Sequence, residues 1–379
     1  MRTSPCWRLG AFASLAVMFL ALYPQLDLWR ELGGGWNGSY AYIDTDEVAY
    51  AAYLNALIDG RPRRNDPYTG LDDRPGAPQP ESLFSIQFAP AYAIAAAARL
   101  LGLSVSTVFI LLMPLAALAT SLAIFWLIRM ITGDDRLAAT AVLFILCLGT
   151  LATGQGAVRY LLTGGTAYIY LPFLRRYIPA VAFPFYVLLC AFVWRMLTRR
   201  DERSGVQAAI MAGLTFALLV YSYYYLWTAA AAWLFCLALL WLIVRPSGWQ
   251  TDIRLLGITT IIAVAALLPY SVLLSNRAVT MDMVQALTHT RAPDLLRVPE
   301  LIGFAVLAGL ALGARHGLIS WRDRAALFAA SLALTPVIVF NQHVLTGRSL
   351  QPIHYEQFIV NYLSLVSLVL AAALIWRRR

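Results

Sequence analysis

Residues 105–131 read VSTVFILLMPLAALATSLAIFWLIRMI, an apolar run with one charged side chain, Arg129. A hydrophobic stretch of about 20 residues is long enough to cross a bilayer as a helix. Comparable runs recur along the chain at Leu9 to about Trp29 and at about 137–153, 177–197, 206–222, 225–244, 253–274, 300–315, 325–340 and 359–376. The sequence therefore predicts an all-α polytopic membrane protein with about ten transmembrane helices.

The composition of the chain supports this class. Sixty per cent of the 379 residues are hydrophobic and only 13% are charged, and the mean hydropathy is +0.67. Soluble domains contain about 45–50% apolar and about 25% charged residues. We therefore expect residues 1–379 to form a single transmembrane domain with no separate soluble domain. The arginines lie at the ends of apolar runs rather than in one patch, which argues against a nucleic-acid partner.

The long polar stretch of the chain follows the first predicted span. We assign residues 30–103 to one large loop outside the membrane. An amphipathic helix within it is predicted by the apolar spacing of Tyr50, Tyr53, Leu54, Leu57 and Ile58, and Asp59-Gly60 predicts its end. Residues 84–103 are apolar but contain Gln87, Pro90 and Arg99, and we expect them to form a second helix in the membrane interface.

The distribution of charge predicts the orientation. With both termini inside and residues 84–103 in the interface, the inside segments contain sixteen arginines and six acidic residues, whereas the outside segments contain thirteen and fourteen. The inside arginines are Arg2, Arg8, Arg129, Arg136, Arg195, Arg199, Arg200, Arg203, Arg245, Arg254, Arg315, Arg322, Arg324, Arg377, Arg378 and Arg379. This excess follows the positive-inside rule.

Three carboxylates open the amphipathic helix of the outside loop, namely Asp44, Asp46 and Glu47. One interpretation is helix capping, since acidic side chains favour the positive end of a helix dipole. The other is catalysis, in which a carboxylate at the membrane surface acts as a general base. Asp44 and Asp46 also have the spacing to hold a divalent cation, so the metal requirement stays open.

A second polar cluster, residues 341–357, is predicted as the last outside loop. Its candidate substrate-binding residues are Arg348, Gln351, His354 and Tyr355. A hydrogen-bonded loop that joins helices would explain them. In the alternative, Arg348 binds a phosphate and His354 donates or shuttles a proton.

Two further clusters fall on the same predicted side. Residues 155–177 contain Arg159, Tyr168, Tyr170, Arg175 and Arg176, and residues 221–227 read YSYYYLW. Both patterns are typical of interface anchors and aromatic belts. The first can also clamp an anionic lipid headgroup, and the second can stack on a sugar or pack on a prenyl chain. Four polar clusters on one side favour a functional surface there.

This layout resembles that of the GT-C membrane glycosyltransferases, which include protein O-mannosyltransferases and aminoarabinose transferases. The resemblance lies in Asp46-Glu47, with Asp44 just before them, opening the first loop helix, followed by residues 88–92 (FAPAY) and 100–102 (LLG). By layout it covers roughly the first 230 residues.

The resemblance implies a polyprenyl-phosphate-linked sugar donor and an active face outside the cytoplasm, in the plasma (inner) membrane of a bacterium. Asp46 would deprotonate an acceptor hydroxyl, while Arg175, Arg176 or Arg348 would stabilise the departing lipid phosphate. Direct displacement would invert the anomeric carbon. The acceptor stays open. Two alternatives are a non-catalytic membrane assembly subunit and a lipid or glycan transporter or flippase, although the predicted spans contain few mid-membrane charges.

Overall fold

The structure is a computed structural model and describes residues 7–149, 171–285 and 289–376. The regular elements in these ranges are helices, accompanied by three isolated β-bridges. The longer helices are α1 Trp7–Leu32, α2 Asp46–Ile58, α3 Phe88–Leu101, α4 Val105–Thr132, α5 Asp135–Leu148, α6 Phe183–Leu197, α7 Glu202–Val220, α8 Tyr224–Val244, α9 Trp249–Ser275, α10 Val298–Arg315, α11 Arg324–Thr346 and α12 Pro352–Trp376. In α12, a short helical turn and a π-helical turn, Glu356–Val360, precede the regular helix.

Eight of these helices are long and apolar enough to cross a membrane, counting the described residues alone: α1, α4 and α7 to α12. The predicted all-helical, multi-pass architecture is therefore confirmed. The other two predicted spans contain shorter helices, since α5 has 14 residues and α6 has 15. The end of the predicted span 137–153 lies outside the described residues, and the total of ten spans stays a prediction.

Two predicted helix boundaries are wrong. Helix α6 begins at Phe183 rather than at 177 because Pro179 lies in the preceding turns and lacks the N–H that a helix interior needs, whereas Pro184 occupies a first-turn position where a missing N–H is tolerated. Helix α11 continues to Thr346 instead of ending at 340. Its end is set by Gly347, which adopts a left-handed conformation with a φ of 73°. The predicted last outside loop is therefore mostly helical.

The loop between α1 and α4 contains the two predicted helices. Helix α2 ends at Ile58, before Asp59 and a left-handed Gly60 with a φ of 86°, as the sequence predicts. Tyr53 and Leu54 are buried where α2 packs against α3 and α4. Helix α3 has 14 residues, or about 21 Å, which is shorter than the roughly 30 Å hydrocarbon core. Its length suits the interface location that we expect.

The spanning helices pack into a bundle through extensive neighbouring contacts. Helix α4 contacts α1, α5 and α6, helix α7 contacts α6 and α9, and helix α11 contacts α8, α10 and α12. At Gly303 the backbone of α10 comes so close to α11 that an added Cβ would lie 2.3 Å from the Ala333 carbonyl oxygen. Small residues of this kind let membrane helices approach closely.

Polar contacts between distant loops fall into two groups in the described part of the chain. One group joins the predicted outside loops, as in Arg175–Asp46 and Arg297–Glu356. The other joins the predicted inside loops through Arg324, which contacts Asp252 and the backbone of Ser247. Loops that the sequence assigns to the same side of the membrane thus contact one another. This agreement with the predicted topology holds whichever of the two faces is outside.

Candidate functional site

The Asp44 and Asp46 carboxylates at the start of α2 have different partners. Asp44 Oδ1 accepts a hydrogen bond of 2.9 Å from the backbone N–H of Asp46, and the Asp44 carbonyl accepts from the Glu47 N–H at 3.1 Å. Asp44 therefore stabilises the helix start through a local turn that aspartate side chains favour.

The Asp46 carboxylate instead binds Arg175, which comes from the segment before α6. Arg175 Nη1 lies 2.7 Å from Asp46 Oδ2, the arginine side chain is 1% exposed and the aspartate side chain is 53% exposed. Burial raises the pKa of the Asp46 carboxyl above its ordinary value, the Arg175 guanidinium opposes that rise and the Asp44 carboxylate adds to it. A partly desolvated carboxylate that still reaches solvent has the access that a general base needs.

Arg175 is held by hydrogen bonds and aromatic rings. Its Nε donates to the Ile178 carbonyl at 3.1 Å and its Nη2 to the Tyr223 hydroxyl at 3.0 Å. The guanidinium carbon lies 4.3 Å from the centroid of the Phe358 ring and 5.4 Å from that of Tyr50. Aromatic faces stabilise a guanidinium in such surroundings. Three of its five N–H donors bind Ile178, Asp46 and Tyr223, and this buried arrangement suits Arg175 to orienting the Asp46 carboxylate.

The next residue along each segment forms a second and fully buried ion pair. Glu47 is 0% exposed and Arg176 is 1% exposed, with 2.7 Å between Arg176 Nη2 and Glu47 Oε2. Glu47 Oε1 also accepts from the Arg176 backbone N–H at 2.7 Å, and Arg176 Nη1 donates to the Phe109 carbonyl at 3.0 Å. This pair joins α2, α4 and the segment before α6. It gives Glu47 and Arg176 a positioning role, because neither reaches a substrate without movement.

His354 reaches the same cluster from the start of α12. Its Nδ1 lies 2.9 Å from the Tyr223 hydroxyl, and its ring stacks on Tyr225 at a centroid distance of 4.5 Å. Since arginine is only a donor, the Tyr223 oxygen accepts from Arg175, and the Tyr223 hydroxyl donates to His354 Nδ1 in the tautomer that leaves this nitrogen unprotonated. A continuous hydrogen-bonded path therefore runs from Asp46 through Arg175 and Tyr223 to His354.

The remaining predicted binding residues lie in different surroundings. Tyr355 is buried, and its hydroxyl lies 2.8 Å from Thr228 Oγ1. Gln351 precedes α12, where its carbonyl accepts from the His354 N–H. Arg348 is exposed, and no ion pair is recorded for it among the described residues. It lies near Asp282, whose pKa is lowered first by hydrogen bonds from Arg277 and to a smaller extent by Arg348.

Three of the predicted residues, Arg159, Tyr168 and Tyr170, lie outside the described residues. In the described ranges, no group of three or more His, Cys, Asp or Glu side chains is arranged to hold a metal ion. Asp44 and Asp46 can supply two carboxylate ligands to a divalent cation, but one oxygen of each is already hydrogen-bonded. Water or substrate oxygens would have to complete the shell.

Sequence reasoning missed Tyr50, Gln87 and Phe358 as parts of this site. Tyr50 lies one helical turn after Asp46, which places both on one face of α2. Gln87 links α3 to this region by accepting the Tyr224 N–H at 3.0 Å. No spacing in the sequence indicates Phe358, because its contact with Arg175 joins segments 183 positions apart.

A cavity of about 340 Å³ lies beside this cluster, between residues 65–84 and 278–281. Its rim includes Tyr68 and Phe84, whose ring centroids are 6.0 Å apart, and Phe84 lies 5.5 Å from the ring of Tyr50. Burial raises the pKa of Tyr68, and the charge of Asp46 adds to the rise. The cavity is thus close to the exposed carboxylate.

No protein-family model and no curated protein matches this chain.

Proposed function

We propose that this protein transfers a sugar from a polyprenyl-phosphate-linked donor to a hydroxyl acceptor at the outer face of the membrane, with Asp46 as the general base. The observation that carries this proposal is the state of Asp46. Its carboxylate is 53% exposed, is held by the buried Arg175 and is relieved of helix capping by Asp44. A carboxylate that serves only to start a helix would not need a buried arginine from a distant segment.

In the proposed reaction, the acceptor hydroxyl lies against the free edge of the Asp46 carboxylate. The acceptor oxygen forms a bond to the anomeric carbon as its proton passes to Asp46. The bond from that carbon to the phosphate oxygen breaks, and polyprenyl phosphate leaves with the electron pair. A single displacement of this kind inverts the anomeric carbon. We assign the acceptor to the cavity beside Tyr68 and Phe84, because aromatic faces and neighbouring amides suit a carbohydrate.

Positive charge near the leaving phosphate lowers the barrier, because negative charge develops there in the transition state. We assign this contact to Arg348, which is the exposed member of the three predicted arginines, whereas Arg175 and Arg176 are buried and paired with carboxylates. Arg175 then acts through Asp46 as a positioning residue. Tyr223 and His354 extend the hydrogen-bonded path that begins at Asp46 and Arg175. We propose that this path redistributes charge after the proton has neutralised the Asp46 carboxylate.

The proposal is tested in a strain that lacks the protein. We expect mass spectrometry to find that one lipid-linked sugar accumulates and that one surface glycan, glycolipid or glycoprotein loses the same sugar. Expression of the parent chain should reverse both changes, whereas Asp46→Asn should not. An unchanged inventory of lipid-linked sugars and envelope glycans would contradict the proposal.

A further inference from the structure

A buried carboxylate joins several helix ends at the opposite face of the bundle. Asp252, in the first turns of α9, is 0% exposed. It accepts hydrogen bonds from Arg199, from Arg324 Nη2 at 2.9 Å and from Trp241 Nε1 at 3.0 Å. Two guanidinium groups therefore share one carboxylate, which leaves an excess of positive charge at this place.

A cavity of about 530 Å³ opens above this buried cluster. Arg199, Arg200, Arg254 and Arg324 line it, together with Thr251 and the acidic residues Asp201 and Glu202. The two arginines at the mouth, Arg200 and Arg254, are exposed. Four guanidinium groups around one polar space are an arrangement that binds oxyanions through charge-assisted hydrogen bonds.

The acidic side chains at this cavity neutralise only part of that charge. Asp201 accepts from the Ser204 N–H at 2.8 Å and is thereby used as a helix cap. Glu202 lies 3.4 Å from Arg254 in a pair whose side chains are 70% and 75% exposed, and such pairs are weak. No ion pair is recorded for Arg200 within the described ranges. The cavity is therefore open to an anionic ligand.

The dipoles of the helices that begin at this cavity also favour a bound anion. Three helices begin at this cavity, namely α7 at Glu202, α9 at Trp249 and α11 at Arg324. The amino-terminal end of a helix carries a partial positive charge. The first turn of α9 has no side-chain cap, because its N-cap residue is Gly248. These dipoles add to the field of the four arginines.

We propose that this cavity binds the phosphate group of an anionic phospholipid headgroup. It lies at the ends of helices long enough to span a bilayer, at the level where headgroups are found, and on the face that the positive-inside rule assigns to the cytoplasm. Basic pockets between transmembrane helices at this level bind anionic headgroups. The bound lipid would bridge the loop before α7 and the start of α9.

The test compares two double variants of the full-length protein. Arg200→Gln/Arg254→Gln changes the mouth of the cavity and leaves the Asp252 cluster intact. Arg315→Gln/Arg322→Gln is the matched control, because it removes two exposed arginines from the same predicted face outside the cavity. Both should purify and unfold on heating like the parent, since none of the four arginines is buried.

Retention of phosphatidylglycerol is measured by native mass spectrometry after exchange from mixed phosphatidylglycerol and phosphatidylcholine nanodiscs. Direct charge-assisted hydrogen bonds from two cavity arginines to a phosphate contribute at least about tenfold in affinity beyond the diffuse attraction that any surface arginine provides. We expect the cavity variant to lose affinity to about that extent and the control to lose much less. Equal losses in both variants would mean diffuse attraction and would overturn the proposal. Displacement of the lipid by millimolar inorganic phosphate or glycerol phosphate would also overturn it, because the ligand would then be a soluble anion.

Discussion

Arg175 is buried and yet donates a 2.7 Å hydrogen bond to Asp46, a half-exposed carboxylate 129 residues away in the sequence. The pair connects the first loop helix to the segment before α6. An exposed salt bridge of this length would contribute little to the stability of the fold. Here, however, Arg175 is fixed by the Tyr223 hydroxyl and by the rings of Tyr50 and Phe358. The arginine thereby sets where the carboxylate points.

The first prediction concerns Asp46. Asp46→Asn keeps the size of the side chain and removes the base, and loss of one general base costs about 10²–10⁴ in rate. We expect the variant to insert into the membrane with a lower thermal stability, because buried Arg175 loses its carboxylate partner, and sugar transfer to fall by that order. The measurement is initial rate in proteoliposomes, and Asp59→Asn at the other end of the same helix is the matched control.

Asp44→Asn tests whether the neighbouring carboxylate does more than support the helix start. Asparagine favours the same local turn, so a structural role predicts nearly parental rates. A loss comparable with that of Asp46→Asn, together with inhibition of the parent by a chelator, would indicate a shared divalent cation. Parental rates in both aspartate variants would contradict the assignment of the base.

The second prediction is a shift of the pH profile in Arg175→Gln. A general base must be ionised, so the rate falls as the pH drops through the pKa of Asp46. Burial raises that pKa and the Arg175 charge opposes the rise. Removal of the charge should therefore move the acidic limb to higher pH, in addition to lowering the maximal rate. A lower maximal rate with an unmoved limb would mean that Arg175 has only a structural role.

Periodicity and charge predicted much of the fold because membrane-spanning helices must be long and apolar. The eight spanning helices and the end of α2 at Asp59-Gly60 follow from local sequence alone. The extension of α11 to Thr346 was missed because its last turns are polar. There, Asn341 donates to the Asp294 carbonyl at 2.7 Å, and His343 Nε2 lies 2.7 Å from the Ala292 carbonyl oxygen. Contacts with the loop at residues 292–294 stabilise these turns, although a prediction from hydropathy would end the helix before them.

The site was predicted residue by residue but not as pairs. The sequence indicated Asp46, Glu47, Arg175 and Arg176 as separate carboxylates and phosphate-binding arginines. In the structure each carboxylate is the partner of one arginine. Two residues that lie 129 positions apart show no recognisable spacing in the sequence. Only the packing of α2 against the segment before α6 brings each carboxylate to its arginine.

The third prediction is that Glu47→Gln destabilises the protein. The change leaves the Arg176 charge buried without its partner, and breaking a buried ion pair in this way costs about 3–5 kcal/mol. We expect a clear fall in the temperature at which the detergent-solubilised protein loses its monodisperse elution. Glu202→Gln, which alters an exposed pair with Arg254, should elute like the parent. A stable Glu47→Gln that has lost turnover would instead assign Glu47 to the chemistry.

The fourth prediction concerns Arg348, which is exposed at the predicted outer face. If its planar guanidinium binds the donor phosphate through two oxygens, lysine cannot replace it even though the charge is kept. Arg348→Lys should then raise the KM for the lipid-linked donor, and Arg348→Gln should raise it further. Arg74→Lys, another arginine of the outside loops, is the control. Parental kinetics in Arg348→Lys would remove this residue from the donor site.

The last prediction is the orientation, on which both the outer active face and the inner lipid site depend. The arginine excess assigns the loops that contain Arg199 and Arg324 to the cytoplasm, and both arginines bind Asp252 in the structure. Gly34 and Ser247 are suitable reporters on the two sides. Gly34 has open space around an added side chain and an unstrained φ, and Ser247 is exposed. In a background without the native cysteines, an impermeant thiol reagent added to intact cells should label Gly34→Cys and leave Ser247→Cys unlabelled until the cells are opened. Labelling of Ser247→Cys in intact cells would reverse the orientation and would contradict a sugar-transfer site on the outer face.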